Sequence, residues 1–266
     1  AIAYAVDKGV VVVTAAGNLQ KNINTVGLAG ATGAITVGAS GLQDERLAFS
    51  NYGLKLDLMA PGFDVLSLRA RRTDFAWLTG AQGYEPGSGY VGELAAYYRA
   101  TGTSFAAPMV AGAASLILSQ NPTLTPAQVK RMLLGSARDI DVPGLDSVSG
   151  YGLLDVKASL SADPEFFIDA FIASVHPQLV NGKSAAVVTG TAQADQFASA
   201  QVLIGQGSSP SSWKKACRNV AKPVREDVLC HMPAAELSSA KLWTVRLVVS
   251  HKNGRTFENR FELRTG

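Results

Sequence analysis

Residues 101–112 read TGTSFAAPMVAG. Ser104 stands between a Gly-Thr pair and a run of small residues, a composition that predicts a helix from Ser104 to Gln120. A helix N-terminus offers unpaired backbone N–H groups and a partial positive charge. A serine there is either a cap or a nucleophile whose developing oxyanion meets those donors. Gly102 lets the chain turn sharply before it, and Ala106 and Ala107 leave room for a substrate. Pro108 falls in the first turn, where a missing N–H costs little. Small residues on several faces, Ala, Ser and Gly, place this helix centrally, close to neighbouring backbone.

Working outward, three apolar runs read as strands: VVVVTAA (10–16), AITVGAS (34–40) and LDLMAPG (56–62). The first is a continuous β-branched run, as expected of a strand buried on both faces. Thr125-Pro126-Ala127-Gln128 opens a further helix with Thr125 as N-cap and Gln128 at the third position, and Gly135 ends it. Strands alternating with helices predict a parallel α/β sheet over residues 1–162. Ligands bind at the carboxyl ends of such strands, and Asn18 emerges at one, offering a side-chain amide. The alternative for Gly17-Asn18 is an ordinary turn. AIAYAVDKG (1–9) reads as the end of an amphipathic helix closed by Gly9, which suggests a longer protein. Arg69–Ala100, rich in glycine and aromatics, reads as one long irregular loop delivering the chain to Ser104.

After Asp163-Pro164 the pattern becomes apolar/polar alternation, and Asn253-Gly254 between two such runs signals a hairpin. Residues 163–266 are therefore expected to form a second, all-β, sandwich-like domain. Trp213 and Trp243 could pave a binding face, with burial in its core the favoured reading. Cys217 and Cys230 are either a disulfide or two buried thiols, and a bridge over that separation is worth about 3 kcal/mol.

Charge excludes some classes. Residues 1–162 carry 12 basic and 12 acidic side chains; residues 163–266 carry 12 and 9, so the net +3 arises in the second part. No basic stripe interleaved with aromatics favours nucleic acid, and no apolar run is long enough to cross a bilayer. Gly87–Gly92 fits G-x-G-x-x-G but follows Glu85-Pro86 rather than a strand, so a dinucleotide site is not expected. There is no zinc spacing, and Asp139, Asp141 and Asp146 lack the glycine and glutamate placement of an EF-hand.

GTSFAAPMVAGAASLIL, together with GVVVVTAAGN, LDLMAPG and GYGLLDV, resembles the subtilisin-like serine peptidases over residues 1–160. The resemblance implies a secreted endopeptidase acting on a polypeptide through an acyl-enzyme. Ser104 would be the nucleophile. Asn18 would be the oxyanion amide, aided by the Ser104 N–H and the Thr103 hydroxyl. Ala15, Ala16 and Gly17 would wall the substrate pocket, with Gly27 at its floor and Gly102 beside the nucleophile. The chemistry would need no cofactor, although relatives often hold structural calcium through loop carbonyls. An oxidising destination also favours the Cys217–Cys230 bridge.

The departures are equally informative. The family's Tyr-Pro is Leu28-Ala29 here, and the 69–100 segment is longer than in compact members. The family's triad runs Asp, His, Ser along the chain. Only 17 residues precede Asn18, and none is histidine. The three histidines, His176, His231 and His251, all lie in the β part, where they read as surface or strand-edge residues. Asp7 does not match the family aspartate. A serine without a general base is a poor nucleophile, so this chain alone is expected to be inactive and to need a partner, an N-terminal portion or a propeptide. Two other readings stand beside this one: a non-catalytic scaffold with a relict site, and an adhesive module whose working part is the β domain.

Overall fold

The computed structural model describes residues 1–24, 27–69, 89–91 and 96–265. It is a mixed α/β structure with one parallel sheet and three antiparallel ones. Helix α1 (Ile2–Asp7) ends as its glycine predicts. Gly9 N–H donates to Val6 and Val10 N–H to Ala5, the paired bonds of a Schellman cap.

Strands β1 (Val13–Ala15), β2 (Ile35–Ser40) and β3 (Leu58–Pro61) form a parallel sheet in that order. β2 is buried along its whole length, as a central strand should be. β1 is shorter than the run that predicts it and only half-buried. The expectation of burial on both faces fails because β1 is the edge of its sheet among the described residues.

β4 (Val65–Leu68) leads toward the long segment. That segment is not wholly irregular: β5 (Tyr90–Val91) and β6 (Tyr97–Ala100) pair with β4 in the order β4-β6-β5. The sequence hid these strands because their pairing faces are tyrosine and arginine rather than aliphatic. Gly89, Tyr90 and Val91 are the described part of the G-x-G-x-x-G match; Gly87, Ser88 and Gly92 lie outside the described residues.

Helix α2 (Thr103–Gln120) packs Ala106, Val110, Ala113, Ala114 and Ile117 onto Ile35, Val37, Ala39, Leu58 and Ala60. Small residues on this face permit the close approach: a Cβ on Gly62 would lie 3.3 Å from that of Ala106. Two expectations need correction here. Ala106 is fully buried against the sheet and offers no room to a substrate. The helix is also not covered all round. Met109, Ala111, Gly112, Ser115 and Leu116 are exposed on the face turned away from the sheet. Small side chains permit close packing on either face, and only one has a partner among the described residues.

Helix α3 (Pro126–Gly135) has the predicted capping box. Gln128 N–H donates to the Thr125 hydroxyl at 3.3 Å, and Thr125 N–H donates to Gln128 Oε1 at 2.8 Å. Thr125→Ala should cost about 1 kcal/mol, the usual value of such a cap, with Thr125→Ser restoring most of it; urea unfolding midpoints would show otherwise if the cap were idle. Lys130 of α3 pairs with Asp57 at 2.7 Å. Burial nevertheless pushes the Asp57 carboxyl above its ordinary range, against the lowering pull of Lys130. The GYGLLDV stretch runs along β3, where Met59 N–H donates to Gly152 and Leu154 N–H to Met59. It then enters α4 (Val156–Leu160), capped by Asp155.

The remaining strands are β7 (Ile168–Val180), β8 (Lys183–Ala194), β9 (Phe197–Gln206), β10 (Lys214–Lys215), β11 (Val224–Pro233), β12 (Leu242–His251) and β13 (Thr256–Arg264). They form two antiparallel sheets, β10-β9-β12-β13 and β11-β8-β7. Both contribute to one buried cluster, which includes Ile172, Val188, Val202, Ile204, Val245 and Leu247. The Asn253-Gly254 hairpin joins β12 to β13 as predicted. A second Asn-Gly pair, Asn181-Gly182, joins β7 to β8 with positive φ at both residues, the backbone a two-residue hairpin prefers. Cys217 and Cys230 are joined in a disulfide, Cα to Cα 6.0 Å. Trp243 is buried, its indole N–H 3.1 Å from both the Leu237 and Ala240 carbonyls. Trp213 is half-buried instead, with the Arg246 and Arg260 guanidiniums 5.2 and 5.4 Å from its ring centre.

The two halves meet along a seam. Asn259, buried on β13, accepts from Ile172 N–H and donates to the Leu145 carbonyl, both at 2.7 Å. Tyr151 stacks on Phe257 at 5.4 Å. Gly144 presses against β13, in a left-handed conformation with φ +86°.

Candidate active site

Three chain segments converge at the carboxyl end of the parallel sheet. β1 ends at Ala15 and runs into Ala16-Gly17-Asn18, β3 ends at Pro61-Gly62, and α2 starts at Thr103. Gly102 N–H donates to the Gly62 carbonyl at 2.8 Å, which fixes the helix start against β3. A side chain at Gly102 would put its Cβ 3.2 Å from Asn18 Nδ2, so the position needs glycine for close approach.

Thr103 locks the other side. Its backbone N–H donates to Asn18 Oδ1 at 3.0 Å and its hydroxyl to the same oxygen at 2.8 Å. The hydroxyl in turn accepts from Gly17 N–H at 3.1 Å. With Oδ1 bound twice, the amide orientation is settled by its partners. The Nδ2 end of Asn18 is then the end left to meet a ligand. Ser104 is exposed in the first turn of the eighteen-residue helix, where its backbone N–H belongs to the set that has no partner within the helix. The structure therefore brings Asn18, Gly17, Gly102, Thr103 and Ser104 together.

A residue the sequence reading passed over holds the asparagine loop. Asn51 is buried. Its Oδ1 accepts from Leu19 N–H at 3.0 Å and Lys21 N–H at 2.8 Å, and its Nδ2 donates to the Ala16 carbonyl at 2.8 Å. Its own N–H donates to the Gly17 carbonyl at 2.9 Å. Asn18 is thus bracketed on both sides by bonds to one side chain. No local pattern announces this, because the contacts span 30 to 35 residues.

The expected pocket residues are placed less uniformly. Ala15 pairs with Val37 in the sheet, and Ala16 is buried with its N–H on the Val37 carbonyl. Gly27 lies in a bend with nothing within 4 Å of where a Cβ would stand. Its neighbours Thr25 and Val26 lie outside the described residues.

None of the three histidines hydrogen-bonds Ser104. His176 is exposed on β7, and His231 is exposed on β11. His251 is neither a surface nor an edge residue: it is buried, with Nε2 3.2 Å from Asp195 Oδ2 and Nδ1 accepting from Asn253 N–H at 3.0 Å. Both ring nitrogens are thereby committed to the turns at one end of the β sheets. Among the described residues no group of three His, Cys, Asp or Glu side chains could hold a metal, and no helix is long and apolar enough to cross a membrane.

Comparison with known proteins gives one family match: the Peptidase_S8 subtilase family model covers residues 1–152. The chain is 41% identical over 134 residues to the extracellular serine proteinase of Thermus sp. strain Rt41A, covering 50% of this chain and 28% of that protein. It is 37% identical over 166 residues to subtilisin DY of Bacillus licheniformis, covering 60% of this chain and 51% of the relative. Among solved structures, a lanthipeptide protease superposes with a TM-score of 0.49 at 25% identity, over 60% of this chain and 53% of the other. The chain thus spans between about a quarter and half of the curated relatives it matches.

Proposed function

We infer, on the premise that the chain belongs to the subtilase family over residues 1–152, that it carries the nucleophile half of a serine peptidase site. The observation that carries this reading is the Thr103 clamp, which ties up Asn18 Oδ1 and leaves the amide N–H₂ beside the Ser104 helix start. Ser104 Oγ attacks the scissile carbonyl of a polypeptide as its proton passes to a general base, which returns it to the leaving amine. The carbonyl oxygen, now negative, is met by Asn18 Nδ2–H and by the Ser104 backbone N–H. Collapse of this intermediate expels the amine and leaves an acyl-enzyme, which water then hydrolyses. Ala15, Ala16 and Gly17 form one wall for the side chain preceding the scissile bond, with Gly27 at its floor.

The general base comes from outside residues 1–266. Two observations support this: no described histidine hydrogen-bonds Ser104, and the relatives extend well beyond the region matched. The edge of β1 and the outer face of α2, both without a partner among the described residues, give such a portion somewhere to pack. The mature protein acts outside the cytoplasm, where the Cys217–Cys230 bridge is stable. Residues 163–266 form an accessory β-sandwich of immunoglobulin or fibronectin type, supported by two antiparallel sheets sharing one core.

A fluorophosphonate probe tests the assignment. It should label Ser104 when the chain is joined to a portion bearing the aspartate and histidine, and Ser104→Ala should abolish that labelling. Residues 1–266 alone should stay unlabelled. Labelling of this chain by itself would refute the external base, and no labelling of the completed protein would refute the peptidase reading.

A further inference from the structure

A cleft at one end of the two β sheets has a volume of about 750 Å³. Its floor is apolar: Val175 of β7, Ala185 and Ala186 of β8, and Leu263 of β13. Its titratable lining is entirely basic: His176, Lys241 and Arg264. No Asp or Glu side chain lines it, and neither Lys241 nor Arg264 forms an ion pair among the described residues, while His176 Nδ1 lies 3.2 Å from the Ser174 hydroxyl. Lys241 and Arg264 are exposed, so their charge stands at the rim above the floor, with the exposed His176 ring beside them. Thr265 N–H donates to the Lys241 carbonyl at 3.0 Å, which holds Lys241 and Arg264 on adjoining strand ends.

We propose that this cleft binds the free C-terminal carboxylate of a peptide whose last side chain is apolar. Three features select that ligand. Unpaired cations, an arginine fork among them, complement a carboxylate. The apolar floor and the volume suit one or two terminal side chains. Among the described residues β7 pairs only with β8, so its outer edge beside Val175 and His176 offers backbone groups to an extended chain. Pro177 removes a donor from that edge, so the added strand is short, as suits a chain end rather than a passing segment. This inference stands apart from the peptidase reading, since it uses only residues 175–265 and needs no activity.

The test is a titration of the ¹⁵N-labelled 266-residue chain with an acetylated tetrapeptide ending in leucine, its C-terminal amide, and decanoate. The free-acid peptide should give saturable amide shifts confined to residues 175–176, 237–241 and 263–265. The amide should bind at least tenfold more weakly, and so should the free acid to the exposed double variant Lys241→Gln with Arg264→Gln. Decanoate should bind more weakly than the peptide. Equal binding of acid and amide, shifts elsewhere, or no saturable shift would overturn the site. Decanoate matching or exceeding the peptide would overturn the peptide assignment.

Discussion

Asn18→Asp, made in the peptidase completed with its general base, is expected to lower kcat by roughly 10²–10³-fold, a magnitude carried over from the equivalent subtilisin amide. Its unfolding midpoint should barely move. A carboxylate at position 18 still accepts from Thr103 N–H and from the Thr103 hydroxyl, the bonds that hold the native side chain at 3.0 and 2.8 Å. It loses the two amide hydrogens and puts a negative charge where the oxyanion would form. Asn18→Leu loses both functions: it should show a comparable kcat loss and also cost about 1–3 kcal/mol, because the buried Thr103 donors lose their acceptor. KM should change far less than kcat in both, since the contact exists mainly in the transition state. Unchanged kcat in Asn18→Asp would show that the amide is only a clamp.

Gly144→Ala is expected to cost about 2–5 kcal/mol, the sum of about 1–2 for a Cβ in the left-handed region and about 1–3 for overpacking. The glycine has φ +86°, and a Cβ there would stand 1.8 Å from the Glu258 carbonyl oxygen, inside the van der Waals radius of backbone that β13 holds in place. Neither side can yield cheaply. The loop carrying Gly144 also supplies the Leu145 carbonyl to Asn259, so displacing it breaks a buried hydrogen bond as well. Urea unfolding of the chain and of the variant gives the number. A loss below 1 kcal/mol would mean that the seam is soft and the two halves can separate without consequence.

Much of this architecture is legible locally. Short apolar runs place β1 to β3, and the Thr-Pro-x-Gln signature gives the α3 cap down to its individual bonds. The Asn253-Gly254 hairpin follows from turn chemistry, and the same chemistry at Asn181-Gly182 was there to be read between β7 and β8. Ser104, Thr103 and Asn18 are visible because their neighbours in sequence are also their neighbours in motif. Asn51 is not, because its role consists wholly of contacts to a loop some thirty residues earlier. The burial of Ala106 and the exposure of Met109 and Leu116 escape composition for a related reason. A helix of small and apolar residues carries no polar stripe to mark its outer face, so its orientation is decided by which sheet it meets. The seam residues Gly144 and Asn259 are equally silent until the two halves are laid together.

The open side of β1 has a bearing on how this polypeptide behaves at high concentration. β1 (Val13–Ala15), preceded by three further valines, is a sheet margin that has no strand on its outer side among the described residues. Such a margin is a template for any extended chain that drifts past, including another copy of itself. Dilution, cold and added arginine are therefore the conditions in which the purified chain should keep its colloidal stability, while long storage at high concentration invites ordered growth from that margin.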